Sequence, residues 1–570
     1  MKKLLIAVMV IALVSRPVTV FANPLALMRQ MVAAELERAS SRADSRVEWA
    51  LPSIHIHTDL CPFEDRERWQ DGAVSAEGDF YDVDARIRGR GNTTWLMGPD
   101  KRPLRIRFAE PRAMMGSSYE AADWILLANH FDNSLLRNYG ALYLGGLMGS
   151  MMFTPVPHNV HLYVNYEYMG IYVLTDERDV NDGRMNLASH SDPELSEFFL
   201  ELDPRAYRGG TTNLTYVIAN ERIYDIRYPG SSVRTEYHAD YVREYLERVS
   251  RAIRAEDFEA VSRLIDIDSF VDFYIVQELF KNLDSYVASI FMHISGTGAE
   301  RRLHKGPLWD FDISAGNAAH QVMGSDPYGL YTATLNYWYR HLMNTDEFSN
   351  AVRDRWNDVR NDELLETLER LAWLSENYRA DFERNFARHN VLGRAILPTP
   401  EEILAIDTFV GHVGQLIDWL ERRAAWLDMY FNGALQGYEP LEELLAYFSD
   451  VQPLSVYVDG QRVDFHAATI KLHDRIMLTT DEAARIFDAP IYYDEEAQTV
   501  TLEKGGDGPS IFHYVGSSYF TVNGRTFDFG NASVVIGGYA FIPIRIAAYA
   551  LNHDISWDTE MLRVEVTTRM

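Results

Sequence analysis

The chain has 570 residues, of which 47% are hydrophobic and 12% aromatic; this composition is typical of a globular protein with more than one core and excludes a disordered one. Its formal net charge of −29 argues against nucleic acid and anionic membranes as partners, because such binding depends on cations that neutralise phosphate. The same charge suits cations or a basic protein substrate. Only Cys61 is present, so no intrachain disulfide can form.

The N-terminus predicts export. Residues 1–22 have the three parts of a signal peptide: a basic start at Lys2 and Lys3, the apolar run Leu4–Val14, and a small-residue cleavage site that ends at Ala22. The apolar run is too short to span a bilayer comfortably, and no later segment is a credible transmembrane helix. We therefore expect a secreted or cell-surface protein, with no integral membrane segment after cleavage.

The remaining chain divides near residue 450. Residues 23–435 contain helical patterns, such as those at 241–283 and 414–431, in which apolar residues recur at three- and four-residue spacing. Residues 454–570 instead contain short alternating runs separated by Asp-Gly and Asn-Gly turn signals. The sequence predicts an α+β domain over 23–435, a linker over 436–453, and a small α+β domain over 454–570.

The C-terminal part also repeats itself. Five positions recur at one offset of 64 residues, which predicts a duplicated unit: Gly460 and Gly524, Ala483 and Ala547, Asp494 and Asp558, Glu496 and Glu560, and Val500 and Val564. With its segments "VNGRTFDF", "AFIPIRIAAYALNHDISWD" and "LRVEV", it resembles the copper amine oxidase N-terminal-like domain of secreted bacterial proteins. The resemblance implies a binding or stalk module, with a cell-wall or surface component as its possible partner.

A basic segment stands out in this acidic chain. Between residues 86 and 107 there are seven basic residues against the single acid Asp100: Arg86, Arg88, Arg90, Lys101, Arg102, Arg105 and Arg107. The arginines alternate with other residues in "DARIRGR" and "LRIRF", which predicts two strands that each direct their arginines to one face. The Gly-rich segment "GRGNTTWLMGPD" joins the strands. Such a hairpin suits a polyphosphate, although a solvent-facing hairpin with incidental arginines fits the same pattern.

Two acidic segments could carry chemistry. In "GPLWDFDISAGN", Asp310 and Asp312 have apolar neighbours, so a metal, an arginine or water must compensate their charge. In "ELFKNLDSYVASIFMH", Asp284 follows a long helix and Ser289 comes five residues later. An Asp at this position followed by an oxygen or amide ligand is similar to the catalytic loop of protein kinases, but Asp284 taken alone also fits a helix-terminating cap.

Together these segments resemble the CotH-type atypical kinases. Ten motifs occur in the family's order: "RGRGNTTW", "KRPLRIRF", "WILLANHFDNSLLRNYGALYLG", "VNYEYMGIYVLTDERD", "LELD", "ELFKNLDSY", "GPLWDFD", "WYRHLMNTDEF", "RWNDVR" and "WLERRAAWLD". The resemblance implies a reduced, atypical protein-kinase-like fold of the α+β class. It further implies an enzyme that binds ATP and Mg²⁺ and phosphorylates Ser or Thr of surface or coat proteins.

The resemblance also implies roles for single residues. Asp284 would be the catalytic base and Asp310 a magnesium ligand, while Asp312 would aid the metal or hydrogen-bond to nearby backbone. Ser289 stands where kinases have a metal-binding Asn, and a hydroxyl ligates magnesium less strongly than an amide oxygen. The nucleotide-binding residues would be Arg88, Gly89, Arg90, Gly91, Asn92, Thr93 and Glu177, with Lys101, Arg105 or Arg107 in the role of the kinase strand lysine.

Two other functions fit parts of the pattern. A pseudokinase that acts as a surface scaffold or adhesion protein would keep the fold without the activity, consistent with Ser289 in place of Asn. The Asp-x-Asp of "WDFD" also suits a metal-dependent glycosyltransferase, but the alternating strands and helices of a parallel sheet do not precede it.

Overall fold

The fold was analysed in a computed structural model. It describes residues 50–58, 63, 65–91, 93–98, 100–181, 183–206, 214–220, 222–317, 322–394, 401–433, 455–463, 470–472, 475–487, 489–494, 499–503, 510–514, 519–522, 525–528, 533–536, 539–551, 553–558 and 563–568. The predicted signal peptide (1–22) and linker (436–453) lie outside these residues and stay predictions. Among the described helices, none combines the length and the apolar character needed to cross a membrane.

Seven strands close into a barrel that begins the described chain. They are β1 (Ser53–Thr58), β2 (Gln70–Ala76), β3 (Phe80–Gly89), β4 (Leu104–Arg112), β5 (Ala121–Leu127), β6 (His158–Val164) and β7 (Glu167–Asp176), in the order β1-β2-β3-β4-β5-β7-β6. A parallel pair between β1 and β6 closes the barrel, and the other pairs are antiparallel. Alternate residues such as Ile54, Ile56, Ile87 and Ile106 fill its interior, as the period of two in a strand requires.

A second, antiparallel sheet follows the barrel in the chain. It contains β8 (Phe198–Leu202), β9 (Tyr216–Ala219), β10 (Arg222–Tyr228), β11 (Ile290–Ser295) and β12 (Arg302–Lys305), in the order β12-β11-β8-β10-β9. Two short 3-10 helices, Pro204–Ala206 and Gly298–Glu300, lie at its connections.

Thirteen helices are described up to residue 433: α1 (Thr93–Met97), α2 (Arg137–Met148), α3 (Glu236–Arg254), α4 (Phe258–Ser262), α5 (Ile267–Phe280), α6 (Val322–Ser325), α7 (Thr332–Leu335), α8 (Tyr337–Leu342), α9 (Asp346–Val359), α10 (Glu363–Asn377), α11 (Arg379–Arg388), α12 (Glu401–Leu404) and α13 (Phe409–Phe431). Helix α5 is buried on every side from Ser269 to Phe280, as its almost uninterrupted apolar sequence requires. It ends at Lys281, which has a left-handed backbone, and the chain then turns toward Asp284.

A buried ion pair fastens α5 to α13. Arg423 and Glu278 are both fully buried, with 2.6 Å between Nη2 and Oε1. The Glu278 carboxylate also accepts the backbone N–H groups of Tyr331 and Ala333 at 2.6 and 2.9 Å. Because a buried charge is tolerated only when it is paired and hydrogen-bonded, this network fixes the segment before α7 against the end of α5.

The C-terminal part forms three antiparallel-rich sheets around its own core. Its elements are β13 (Ser455–Val458), β14 (Gln461–Val463), β15 (Ile470–Leu472), β16 (Arg475–Thr479), α14 (Thr480–Ile486), β17 (Ile491–Asp494), β18 (Thr499–Glu503), β19 (Ser510–Tyr514), β20 (Tyr519–Val522), β21 (Arg525–Asp528), β22 (Val534–Ile536), β23 (Tyr539–Pro543), α15 (Ile544–Ala550), β24 (His553–Asp558) and β25 (Arg563–Thr568). The sheets are β14-β13-β25-β24, β15-β16-β23-β22 and β17-β18-β19-β20-β21. Helices α14 and α15 begin 64 residues apart, at Thr480 and Ile544.

The chain thus contains both helices and sheets, and the predicted α+β class is confirmed at that level. One apolar cluster joins the C-terminal part to the loop after α5. Met477 of β16 and Phe541 of β23 pack with Leu283, Tyr286 and Tyr331. Leu283 and Tyr286 are close neighbours of Asp284 in sequence, so the C-terminal part contacts the loop that carries this residue.

We predict that a chain ending at residue 440 folds but unfolds at a lower temperature than the full chain. It keeps the cores of the barrel and of the helices, whereas Leu283, Tyr286 and Tyr331 lose apolar cover. Burial of one Phe side chain contributes about 1.5–3 kcal/mol. Thermal unfolding followed by circular dichroism measures the effect.

The full-length variant Phe541→Ala is the matched control, because Phe541 belongs to this contact and not to the C-terminal core. Like the truncated chain, this variant should unfold at a lower temperature than the parent protein. An insoluble truncated chain would contradict independent folding, and an unchanged unfolding temperature in both proteins would contradict the contact.

Candidate active site

Three predicted site residues meet beside the end of α5. Ser289 Oγ lies 3.0 Å from Asp284 Oδ2 and 3.3 Å from Asp310 Oδ2. One hydroxyl proton serves only one of these carboxylates at a time, so the three oxygens keep an excess of negative charge. Ser289 and Asp310 both have positive φ angles, of 53° and 67°, which non-glycine residues seldom adopt outside sites that fix them.

Asp312 differs from Asp310 in its surroundings. The Asp310 side chain is exposed, whereas Asp312 is buried. Burial raises the pKa of the Asp312 carboxyl well above its usual range, and the nearby carboxylates of Asp310, Asp132 and Asp284 raise it further. The sequence left a metal, an arginine or water as what could compensate the charge of these two aspartates. Water serves the exposed Asp310, whereas the buried Asp312 needs a cation or a proton.

Arg137 and Asn138 hold the Asp310–Asp312 loop from α2. The buried Arg137 guanidinium donates to the carbonyl oxygens of Ser314 and Ala315 at 3.0 and 3.2 Å and pairs with Asp132 at 2.6 Å. Asn138 Oδ1 accepts the backbone N–H of Phe311, between the two aspartates, at 2.7 Å. Both side chains therefore position the loop.

The basic hairpin forms as predicted from its period of two. Strands β3 and β4 pair antiparallel, with Arg86 opposite Arg107 and Arg88 opposite Arg105. The four guanidinium groups lie 4.7 to 5.8 Å from the ring centroid of Trp69, whose face attracts cations. An indole thus covers the basic face of the hairpin.

Three of these arginines already have acidic partners, and Arg88 pairs with the exposed Glu67 at 3.6 Å. Arg105 pairs with Asp123 at 2.7 Å and with Glu177 at 3.0 Å, and Arg107 pairs with Asp123 at 2.9 Å. Burial alone would raise the pKa of Glu177, but Arg178 and Arg105 hold it well below its usual range. Glu177 is therefore ionised, and its place in the site is to bind arginines.

Arg90 has a different environment at the end of the hairpin. Its guanidinium lies 5.2 Å from the ring centroid of Trp309, and no ion pair or side-chain hydrogen bond of Arg90 occurs among the described residues. Burial and the nearby charge of Arg178 lower its pKa to about 10, although Glu177 and Asp310 oppose that shift. Arg90 thus supplies positive charge between the hairpin and Asp310.

Lys101 does not join the hairpin arginines. It is buried, its Nζ lies 5.3 Å from the ring centroid of Tyr172 in the barrel core, and this Nζ has no hydrogen-bond partner among the described residues. Burial lowers the pKa of Lys101 to about 7, and the charge of Asp132 opposes that shift. Of the three residues left open by the sequence, Lys101 faces the barrel core, and Arg105 and Arg107 are ion-paired.

The order of these parts along the chain matches a known family. The profile of the family described as CotH kinase protein matches residues 86–427, more than half of the chain. The chain belongs to the CotH kinase family. A second profile, described as copper amine oxidase N-terminal domain, matches residues 457–566. No curated protein matches the chain.

The glycine loop of this CotH chain is partly filled by its own residues. The Trp95 ring lies where a Cβ on Gly89 would be, at 2.0 Å, so Gly89 makes room for Trp95 where room for a ligand was expected. Gly91 has a positive φ of 83°, and Thr93 begins α1. Asn92 lies outside the described residues, so its predicted role stays a prediction.

Sequence reasoning missed several residues that shape the site. Asp132 and Arg178 lie inside quoted family motifs but were given no role, and Trp69 lies outside every quoted motif. Arg178 is buried over Trp309, 4.0 Å from the ring centroid. An acid or arginine next to an assigned residue in a motif was the available signal for Asp132 and Arg178, and Trp69 had none.

The oxygen donors suit a hard cation better than a transition metal. The oxygens of Asp284, Ser289 and Asp310 and the Asp312 carboxyl are of the type that Mg²⁺ prefers. Among the described residues, however, no three His, Cys, Asp or Glu side chains form a metal-binding group by themselves. A cation here would need ligands from a bound phosphate or water as well.

We predict that Asn138→Leu destabilises the protein by about 1–3 kcal/mol, because the buried Phe311 N–H loses its acceptor. The free energy of unfolding from urea titration measures the loss. Asn377→Leu, on the exposed end of α10, is the control and should change stability little. Equal stability of the Asn138→Leu variant and the parent would contradict a positioning role for Asn138.

Proposed function

We propose that this CotH chain is a kinase that transfers the γ-phosphate of ATP to a Ser or Thr hydroxyl of a protein. The observation that supports it best is the Asp284–Ser289–Asp310 cluster near Arg90, which has no ion pair among the described residues. Phosphoryl transfer requires carboxylates that bind a cation and accept the proton of the incoming hydroxyl. It also requires positive charge that stabilises the phosphates. A reduced protein-kinase-like fold, with the barrel and the helical part as its two sides, is part of this proposal.

Each residue of the cluster has one role in the proposed reaction. Asp284, half-buried, orients the substrate hydroxyl and accepts its proton. Asp310 and Ser289 would hold Mg²⁺, which when bound neutralises charge on the ATP phosphates. Asp312 lies close enough to feel the same cation, which would reverse the pKa rise that burial imposes on it.

Arg90 is our candidate for the phosphate contact. Arg105 and Arg107 are occupied by Asp123 and Glu177, so binding of phosphate by either requires that an existing ion pair be shared or broken. Arg90 needs no such exchange. Trp309 beside it fixes the guanidinium plane without neutralising its charge.

The proposed location and substrates rest on the predicted signal peptide, the net charge and the C-terminal domain. We propose an exported protein whose substrates are surface or coat proteins, with basic Ser/Thr-containing segments that suit its negative charge. The C-terminal domain would bind a cell-wall or surface component. Helices α14 and α15 and their flanking strands recur at the offset of 64 residues, which supports a duplicated repeat in this domain.

We predict that the two central carboxylates fail in different ways when each is changed to the amide. Asp310→Asn should weaken magnesium-dependent ATP binding and phosphoryl transfer together, because it removes a metal ligand. Asp284→Asn should abolish most transfer and leave ATP binding nearly unchanged, because its work is confined to the transition state. Calorimetric ATP titration with and without Mg²⁺, beside transfer of radiolabelled phosphate, measures both.

Three outcomes of that assay decide between functions. Transfer lost in Asp284→Asn supports the kinase. ATP binding without transfer in the parent protein indicates a pseudokinase scaffold, and turnover of a sugar nucleotide indicates a glycosyltransferase. Magnesium-ATP affinity unchanged in Asp310→Asn would show that Asp310 is not the ligand.

We predict that Arg90→Gln lowers ATP affinity by about tenfold or more with little loss of stability, because a charge-assisted contact to phosphate is removed and no ion pair is broken. Arg105→Gln should instead lower the free energy of unfolding by about 1–3 kcal/mol, because the buried Glu177 loses one of its arginine partners and keeps Arg178. Calorimetry and urea titration separate the two effects.

Arg86→Gln is the matched control for that pair. Arg86 lies on the same strand and over the same indole, but its side chain is exposed. It should leave ATP affinity and stability close to those of the parent. Unchanged ATP affinity in Arg90→Gln would exclude Arg90 as the phosphate contact.

A further inference from the structure

The C-terminal domain has an apolar outer face on the sheet β15-β16-β23-β22. Successive side chains of a strand point to opposite faces, and Leu478 of β16 and Ile542 of β23 belong to the core of this domain. Their neighbours Met477 and Phe541 therefore point the other way, where a domain on its own would expose them to water. Both are nevertheless only 1% exposed, because residues of the preceding domain pack against them.

The covering residues flank the carboxylates of the candidate active site. The two outward side chains pack in one apolar cluster with six residues of the preceding domain: Leu283, Tyr286, Val287, Ile313, Tyr331 and Leu335. Leu283 directly precedes Asp284, and Ile313 directly follows Asp312. The contact therefore reaches both loops that bring carboxylates to the site.

Met477 and Phe541 occupy equivalent positions in the repeat predicted from the sequence. Their numbers differ by 64, the offset of that repeat, and so do those of Leu478 and Ile542. Leu478 pairs directly with Ile542 across the antiparallel strands β16 and β23, so Met477 and Phe541 lie one residue to either side of this pair. Each copy of the predicted repeat thus contributes one side chain to the contact.

The two loops have a backbone that needs support from outside. In the first loop, the Ala288 N–H donates to the Asp284 carbonyl oxygen at 3.2 Å, and the next residue, Ser289, has a positive φ of 53°. The second loop is joined to the end of α5, because the Ala315 N–H donates to the Phe280 carbonyl oxygen at 2.6 Å. Such unfavourable backbone angles persist only where the surrounding packing holds them. The apolar contact supplies packing of this kind.

We propose that Met477 and Phe541 are positioning residues through which the C-terminal domain holds Asp284 and the Asp310–Asp312 loop in a reactive arrangement. They act through the apolar neighbours of these carboxylates and do not touch the substrate. Misplacement of a catalytic group by about 1 Å can cost about 100-fold in rate. The expected effect on rate rests on the proposed kinase function, whereas the expected effect on the order of the loops does not.

Phosphoryl transfer by the full-length variants Met477→Ala and Phe541→Ala, measured below the unfolding temperature of each, tests the effect on the reaction. The kcat of each should fall about tenfold or more, because the carboxylates lose their alignment. ATP affinity without Mg²⁺ should stay unchanged, because the described residues of the contact include none of the basic hairpin. Met477→Leu nearly conserves the apolar volume and should keep the parent kcat. Parent kcat in both alanine variants would overturn the proposal.

Ile555→Ala is the matched control for a loss of stability. Ile555 packs against the C-terminal core from β24 and is not among the described residues of the contact. This variant should unfold at a lower temperature than the parent protein and keep its kcat. A fall in kcat as large as that of Phe541→Ala would mean that stability alone is responsible, and would overturn the positioning role.

Hydrogen–deuterium exchange followed by mass spectrometry gives a readout that needs no activity. The backbone amides of residues 283–289 and 311–315 should exchange about tenfold faster or more in Met477→Ala and Phe541→Ala, and at the parent rate in Ile555→Ala, because only the first two loosen the loops. If the parent protein transfers no phosphate, the proposed function fails, and faster exchange still supports the positioning role. Unchanged exchange in both alanine variants would overturn that role whatever the activity, and one variant decides if the other does not fold.

Discussion

The repulsion among the carboxylates around Asp312 is the constraint on which the site depends. Asp284, Asp310 and Asp132 all lie close enough to raise the pKa of the buried Asp312. The protein compensates part of this charge internally, because Arg137 pairs with Asp132 and also binds the backbone beyond Asp312. The Ser289 hydroxyl hydrogen-bonds to both Asp310 and Asp284. A bound cation would relieve what remains, so the same repulsion that strains the free protein would favour magnesium binding.

The helical part keeps these carboxylates in place through two connected contacts. Helix α5 is too apolar to face water, and the Glu278–Arg423 pair at its end binds the backbone of Tyr331. Tyr331 in turn packs with the C-terminal domain through Phe541. The loop with Asp284 therefore lies between the buried end of α5 and the C-terminal domain.

The hairpin could be predicted from the sequence because its arginines alternate, and alternation sets both the strand and the face. The partner of each basic side chain could not be predicted. Arg105 finds Glu177 far along the chain, and Lys101 turns into the barrel core, since pairing across strands depends on a closed barrel that local periodicity does not reveal. The Asp310 and Asp312 side chains likewise could not be ranked by burial, because a loop with a positive φ has no fixed period.

In so acidic a chain, a buried cation without a carboxylate partner needs a physical explanation. The chain has 83 acidic and 54 basic residues, and Arg105, Arg107 and Arg137 each pair with a carboxylate. Among the described residues, Arg90 and Lys305 have no such partner, and both lie beside aromatic rings that partly desolvate them. Desolvation of a cation without an acid costs free energy in the free protein, and an arriving anion recovers that cost. Arg90, beside the carboxylate cluster, is therefore a position at which a bound anion would recover that cost.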